Sequence, residues 1–116
     1  MSEDPTHAPA DTARAYYRAL DTDDYDLLAG LLTPGFVHER PDMTLEGSDR
    51  FVQFMRDERP MNDTTHPVDG VYEQVDGEGV VVRGRLLAAD GTTIARFADV
   101  FSFEGEKIAR IRTFTA

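Results

Sequence analysis

The sequence predicts an α+β domain in which three N-terminal helices pack on a strongly curved, mixed or antiparallel sheet. In the first half of the chain, apolar residues recur at three- and four-residue steps, as in amphipathic helices. In the second half they alternate with polar residues, and turns that pair glycine with an acidic residue separate the alternating segments. A run of helices followed by a run of strands is typical of this class. A sheet that curls around helices leaves a hollow, where we expect a ligand.

The length and composition favour one domain over 11–116, preceded by a flexible polar tail over 1–10. No stretch approaches the ~20 apolar residues that span a bilayer. The first residues lack the basic and apolar regions of a signal peptide, so we expect a cytoplasmic protein with no membrane partner. There is no cysteine, which excludes a disulfide, a thiolate nucleophile and a thiolate metal site.

The charge is strongly acidic, with 22 acidic against 12 basic residues and a net charge of −10. This balance argues against a nucleic-acid partner, which would require a basic face. Lys107 is the only lysine. An acidic, lysine-poor surface resembles that of proteins from salt-loving archaea and predicts a halophilic origin, because molar salt screens the self-repulsion. An ordinary acidic protein is the alternative.

The helical half divides into three segments. The first helix is predicted over 11–20, and the second is predicted to begin within 21–24 and to end at 33–35. A third helix is predicted to begin at Ser48 and to end before Pro60. The apolar faces comprise Ala13, Tyr16, Tyr17 and Leu20; Leu27, Leu28, Leu31 and Leu32; and Phe51, Val52, Phe54 and Met55.

The strand half follows a short strand predicted over 36–41 and a loop over 42–47. Four longer strands are then predicted over 66–75, 79–89, 92–103 and 107–115.

The third long strand places one carboxylate in a row of phenyl rings. Phe97, Asp99, Phe101 and Phe103 share one face, because successive side chains of a strand alternate. Aspartate is rarely buried unless it is paired or used. We therefore expect Asp99 to form the polar floor of an apolar pocket.

A candidate site gathers around Asp99. His38 is expected to be its acid–base partner, because a nearby carboxylate fixes the tautomer of a histidine and raises its basicity. Alternatively, a protonated Asp99 donates a hydrogen bond to a developing oxyanion, or Asp99 forms a structural ion pair with Arg40. The candidate ligand-binding residues are Tyr16, Arg40, Phe51, Phe54, Met55, Phe97, Phe101 and Ile111.

Two other constellations carry less weight. His66 with His38 and Asp99 has no recognisable ligand spacing, so we expect no metal and no cofactor. Arg83, Arg85, Arg110 and Arg112 are suited either to an anionic ligand or to ion pairs on the outer face of the sheet, and the second interpretation is favoured.

Residues 11–115 resemble the nuclear transport factor 2-like superfamily, in its SnoaL-like branch. The resemblance rests on the opening helix pair, the 32–38 segment followed by Glu46-Gly47, and the long terminal hairpins. The 98–108 segment carries it most specifically, because it is similar to the family pattern Asp-hydrophobic-Phe-Arg-Phe, turn, Gly-Lys-Ile. Ser102 and Glu106 depart from that pattern.

The resemblance implies a cone-shaped, cystatin-like domain with a deep pocket, commonly a homodimer through the outer face of the sheet. Asp99 matches the pocket acid of the family's ketosteroid isomerases and polyketide cyclases, and Tyr16 matches the isomerase oxyanion tyrosine. Arg40 stands where the isomerase has its base, and an arginine cannot accept a proton, so the isomerase mechanism is not carried over. Phe97 and Thr113 stand where an epoxide hydrolase has an arginine and an aspartate, which argues against that mechanism as well.

The expected function is binding of a small apolar or carbonyl-containing molecule, with acid–base chemistry of the isomerase or cyclase kind. A non-catalytic ligand-binding or structural homodimer is the alternative.

Overall fold

A computed structural model of the chain describes residues 8–59, 61 and 63–116. The predicted tail therefore lies outside the described residues over 1–7. Its last part is corrected, because Pro9 and Ala10 already belong to the first helix. Proline suits a first helical turn, where its missing N–H costs no hydrogen bond.

The helical layer consists of α1 (Pro9–Asp21), α2 (Tyr25–Gly30) and α3 (Ser48–Gln53), which continues as a π-helical turn (Phe54–Glu58). The predicted apolar face of α1 is buried as expected. The Asp24 carboxylate caps α2 by accepting a hydrogen bond from the Leu27 N–H at 3.1 Å. No helix in the described part of the chain is long and apolar enough to cross a membrane.

Among the described residues the sheet has six strands: β1 (Leu32–Glu39), β2 (Thr44–Glu46), β3 (Val68–Glu73), β4 (Val80–Leu87), β5 (Thr93–Glu104) and β6 (Lys107–Thr115). Their order across the sheet is β2-β1-β6-β5-β4-β3. β1 pairs in parallel with β6, and every other neighbouring pair is antiparallel, so the sheet is mixed as predicted.

Two predicted boundaries at the start of the sheet are wrong. Leu32 and the 33–35 segment belong to β1 rather than to the end of the second helix. The pairing of β1 with β6 shifts register between Leu32 and Val37, and this irregularity accommodates a proline, which cannot donate to a regular ladder. β2 lies within the predicted loop, because three residues are too short to show an alternating pattern.

The segment before β3 runs along β4 without being part of a regular strand. Thr65 forms an isolated bridge with Leu87, and the Arg85 N–H donates to the Pro67 carbonyl at 3.1 Å. Gly84 makes this approach possible, because a Cβ there would lie 2.6 Å from the Pro67 oxygen and 2.8 Å from Phe97 Cζ. The backbone on both sides of His66 is thereby tied to the sheet.

The core lies between the helices and the concave face of the sheet. Phe36, Phe51 and Phe101 are fully buried there. Phe36 meets Phe51 edge-on with ring centroids 4.9 Å apart, and Tyr16 meets Phe101 in the same way at 5.6 Å. Phe97, Asp99 and Phe101 alternate with less buried residues along β5, so the predicted inward row is confirmed, while Phe103 at its end is partly buried.

Candidate functional site

A cavity of about 540 Å³ opens between α1 and the concave face of the sheet. Six of the predicted site residues line it: Tyr16, His38, Arg40, Met55, Phe97 and Asp99. A cavity of this size suits a small organic molecule.

Asp99 lies on the inner face of β5 and is only 6% exposed. The Tyr17 hydroxyl donates to Oδ2 at 2.5 Å, and the Thr113 hydroxyl donates to Oδ1 at 2.5 Å. Burial raises the pKa of Asp99, and the hydrogen bonds from Thr113 and Tyr17 oppose part of this rise. The carboxyl group is therefore held by both oxygens and takes up a proton more readily than an exposed aspartate.

His38 reaches Asp99 only through Thr113, which corrects the expected direct pair. His38 Nε2 lies 2.8 Å from Thr113 Oγ1. The Thr113 hydroxyl has one proton, which it donates to Asp99, so it accepts a hydrogen bond from His38. In the neutral ring the proton of His38 therefore lies on Nε2. Nδ1 is buried without a partner in the described part of the chain. Burial, and next the charge of Arg40, lower the pKa of His38 to about 3, so the ring is neutral near pH 7.

Tyr17, which the sequence did not single out, provides the hydroxyl that binds Asp99. Tyr16 is buried in the ring cluster, and its hydroxyl bonds to no other residue that the structure describes. Both tyrosines lie on the buried face of α1, so the apolar pattern could not distinguish them. The oxyanion role of Tyr16 stays a prediction, whereas the contact with Asp99 is made by its neighbour Tyr17.

Arg40 does not pair with Asp99, which corrects the structural alternative. Its Nε lies 3.2 Å from Asp42 Oδ1, and its guanidinium lies over the Phe54 ring at 5.5 Å. An acid two residues away in the chain satisfies this arginine at the edge of the cavity. Among the described residues, Asp99 is therefore held by hydroxyl groups and not by a cation.

Four predicted lining residues lie in the core behind the cavity: Phe51, Phe54, Phe101 and Ile111. They fill the space between α3 with its π-helical turn and the sheet, and the edge-on contact of Phe51 with His38 at 5.3 Å illustrates the arrangement. Their effect on a ligand is therefore indirect.

His66 and Asp21 form a second polar pair on the cavity wall. His66 Nδ1 lies 2.6 Å from Asp21 Oδ1, and the His66 backbone N–H donates to Asp21 Oδ2 at 3.0 Å. His66 lines the same cavity as Asp99. Among the described residues, no group of three potential ligands could hold a metal ion. Asp21 and His66 lie 45 positions apart, and no pattern in the sequence indicates that they form a pair.

The outer face of the sheet carries the arginines, as the favoured interpretation predicted. Arg85 pairs with Asp69 at 3.0 Å, and Arg110 and Arg112 both pair with Glu39, at 2.7 and 2.9 Å. These pairs are exposed, and none of the three arginines lines the main cavity.

Helices on a mixed sheet, with a buried carboxyl group inside an open cavity, define a pocket-forming α+β protein. The chain belongs to the SnoaL-like domain family, whose sequence profile matches residues 13–111. No curated protein sequence matches it.

Solved structures with low sequence identity share the fold. An NTF2-like protein of unknown function from Cytophaga hutchinsonii has a TM-score of 0.80 and 19% identity, with 100% of this chain and 95% of that chain covered. A provisionally assigned polyketide cyclase from Sinorhizobium meliloti has a TM-score of 0.77 and 18% identity, with 90% and 94% covered.

A provisionally assigned ketosteroid isomerase from Kribbella flavida has a TM-score of 0.78 and 20% identity, with 94% of this chain and 78% of that chain covered. The cystatin-like, nuclear transport factor 2-like fold is thus confirmed. None of these relatives supports a halophilic archaeal origin, which stays a prediction.

Proposed function

We propose that this protein binds a small, largely apolar, carbonyl-containing molecule and catalyses proton transfer beside the carbonyl, as isomerases and cyclases do. The observation that carries the proposal is the buried Asp99 carboxyl group on the wall of a cavity of about 540 Å³. Isomerase and cyclase are also the provisional assignments of two structures that share only the fold.

Asp99 acts in its acid form toward the carbonyl oxygen. Burial raises its pKa, which favours this form, and a protonated carboxyl group still accepts the hydrogen bonds of Tyr17 and Thr113. As a proton leaves the neighbouring carbon, Asp99 donates its own proton to the oxygen and an enol forms. His38 is a positioning residue, because it touches Asp99 only through Thr113.

The experiment is exchange of the acidic protons of β-tetralone for deuterium in heavy water, followed by proton NMR. We expect the purified protein to accelerate exchange, and Asp99→Asn to lower the rate about 100-fold, since asparagine cannot give up a proton. Glu58→Gln, which removes an exposed partner of Arg50, is the control for a lost carboxylate. Full exchange by Asp99→Asn would contradict the proposal.

A non-catalytic ligand-binding protein is the second candidate. It is favoured by the occupation of both Asp99 oxygens by hydroxyl groups of the same chain. Such a protein would bind β-tetralone, seen as saturable shifts in its NMR spectrum, without exchanging the ketone's protons.

We propose, separately, a homodimer through the outer face of the sheet. Phe114 is 52% exposed there, beside its strand partner Ala98. Light scattering after gel filtration should give twice the mass of 13.0 kDa, and Phe114→Glu should halve it. A monomer at all concentrations would contradict this arrangement.

The proposed halophilic origin has its own test. The melting temperature should rise steeply toward molar potassium chloride, because screening relieves repulsion among the 22 acidic residues. A melting temperature indifferent to salt would remove the idea.

A further inference from the structure

We propose that His66, held in place by Asp21, is the proton acceptor of the cavity and works opposite the acid Asp99. The inference rests on the proposed function, because it supplies the base that enolisation needs. His38 cannot be that base, since its proton-bearing Nε2 is bonded to Thr113 and its other ring nitrogen is sealed in the protein.

The tautomer of His66 follows from its partner. Asp21, the last residue of α1, approaches Nδ1 with Oδ1 at 2.6 Å and accepts the His66 backbone N–H with Oδ2 at 3.0 Å. A carboxylate only accepts hydrogen bonds, so Nδ1 carries the proton in the neutral ring and Nε2 keeps its lone pair. The two contacts fix both the position of the residue and the orientation of the ring.

The free nitrogen of His66 is open to the cavity. The ring lines the cavity together with Tyr17 and Phe97, whose ring centroids lie 6.0 and 6.1 Å away. Nε2 has no hydrogen-bond partner in the part of the chain that the structure describes. It is also not among the fully buried, unpartnered side-chain atoms of the described residues, which are His38 Nδ1 and Arg59 Nε. A ligand in the cavity can therefore reach the lone pair.

The reaction balances without a further reactant. The C–H bond next to the carbonyl breaks, its proton passes to His66 Nε2, and the electron pair forms the enol double bond. Asp99 gives its proton to the carbonyl oxygen, which leaves an imidazolium beside Asp21 and a carboxylate at Asp99. Return of a proton to carbon from His66 and recovery of the enol proton by Asp99 close the cycle. The substrate class is an enolisable ketone with an apolar body.

The first test reads the tautomer. Long-range proton–nitrogen NMR in a His7→Ala background leaves two of the three histidines. His66 should show a protonated Nδ1 and a bare Nε2, and His38 the reverse, as an internal reference. Asp21→Asn should abolish the preference at His66 only. A protonated Nε2 at His66 in the otherwise unchanged protein would overturn the inference.

The second test reads catalysis with β-tetralone. His66→Gln should lower kcat for exchange at least 100-fold with KM changed less than about twofold, and Asp21→Asn about 10-fold, whereas Glu58→Gln should leave both unchanged. Near-wild-type exchange by a folded His66→Gln variant would overturn the role of His66 and leave that of Asp99 standing. If the unaltered protein exchanges nothing, the proposed function fails for this ketone. Diethyl pyrocarbonate, which modifies accessible histidine nitrogens, then tests His66 separately. Reaction with His38 rather than His66 would overturn the role of His66 as well.

Discussion

The two histidines that line the cavity in the described part of the chain have opposite tautomers. His38 is 6% exposed, donates from Nε2 into the Thr113–Asp99 chain and has its second nitrogen sealed. His66 donates from Nδ1 to Asp21, and its Nε2 has no hydrogen-bond partner among the described residues. The difference lies in the partner. The Thr113 hydroxyl already donates its proton to Asp99, so His38 must donate to it from Nε2. The Asp21 carboxylate can only accept, so His66 donates to it from Nδ1.

This contrast indicates that the groups around His38 stabilise the fold, whereas the groups around His66 act on a ligand. The groups around His38 are bonded to each other and buried, so their loss should cost stability. The groups around His66 are partly exposed and leave one atom unused, so their loss should affect a ligand more than the fold.

The unfolding free energy should fall as the pH drops from 6.5 toward about 3, because burial lowers the pKa of His38 to about 3. In this window the unfolded chain binds a proton that the native ring does not. The loss approaches about 1.4 kcal/mol per pH unit. Urea unfolding at several pH values measures it, and His38→Gln should flatten the dependence.

Asp99 contributes to the pH dependence of the unfolding free energy with the sign opposite to that of His38. Its pKa is raised in the folded state, so its contribution is present below 3.8 and is lost as the pH rises through the folded value. Asp99→Asn should therefore steepen the dependence that His38 produces. An unchanged slope in both variants would contradict the assignment of either group.

Thr113→Val should lower the unfolding free energy by about 3 kcal/mol. The change removes a hydrogen bond to Asp99 and leaves the buried N–H of His38 without a partner. Thr115→Val, two residues further along β6, serves as the control, because the Thr115 side chain makes no such bonds with the described residues. Equal stability of the two variants in urea would show that the hydrogen bonds joining His38, Thr113 and Asp99 do not stabilise the fold.

Tyr17→Phe should cost about 2 kcal/mol, because the hydroxyl that it removes binds a buried carboxyl group. The matched Tyr16→Phe change removes a hydroxyl that bonds to no other described residue and should cost about 0.5 kcal/mol or less. Chemical unfolding of the pair compares them, and a larger loss at Tyr16 would reverse the assignment.

Asp21→Asn should change the unfolding free energy by less than about 1 kcal/mol, because its contact with His66 is partly exposed to water. A loss of unfolding free energy above about 2 kcal/mol would show that the contact of Asp21 with His66 stabilises the fold, as the contacts of His38 do.

The fold was predictable because its signals are local. Alternation placed Asp99 inward between Phe97 and Phe101, and β6 has the predicted bounds. β2 and the irregular start of β1 were missed, because they depend on pairing between strands, which a short segment does not encode.

The candidate site was predictable only in part. Asp99 was recognisable as a polar exception on an apolar face. Its partners were not, because the choice between Tyr16 and Tyr17 depends on the rotation of α1 against the sheet. The contact of Asp21 with His66 arises where the end of a helix meets an irregular segment, and such meetings leave no periodic pattern.

Gly84 gives this arrangement a consequence for engineering. The missing side chain leaves room for both the Pro67 carbonyl and the edge of Phe97, so one position on β4 adjoins the segment carrying His66 and a wall of the cavity. Alanine there would push against both at once. The shape of the cavity is therefore adjustable from a residue outside its lining, and the same change would shift the Pro67 carbonyl and with it the segment that carries His66.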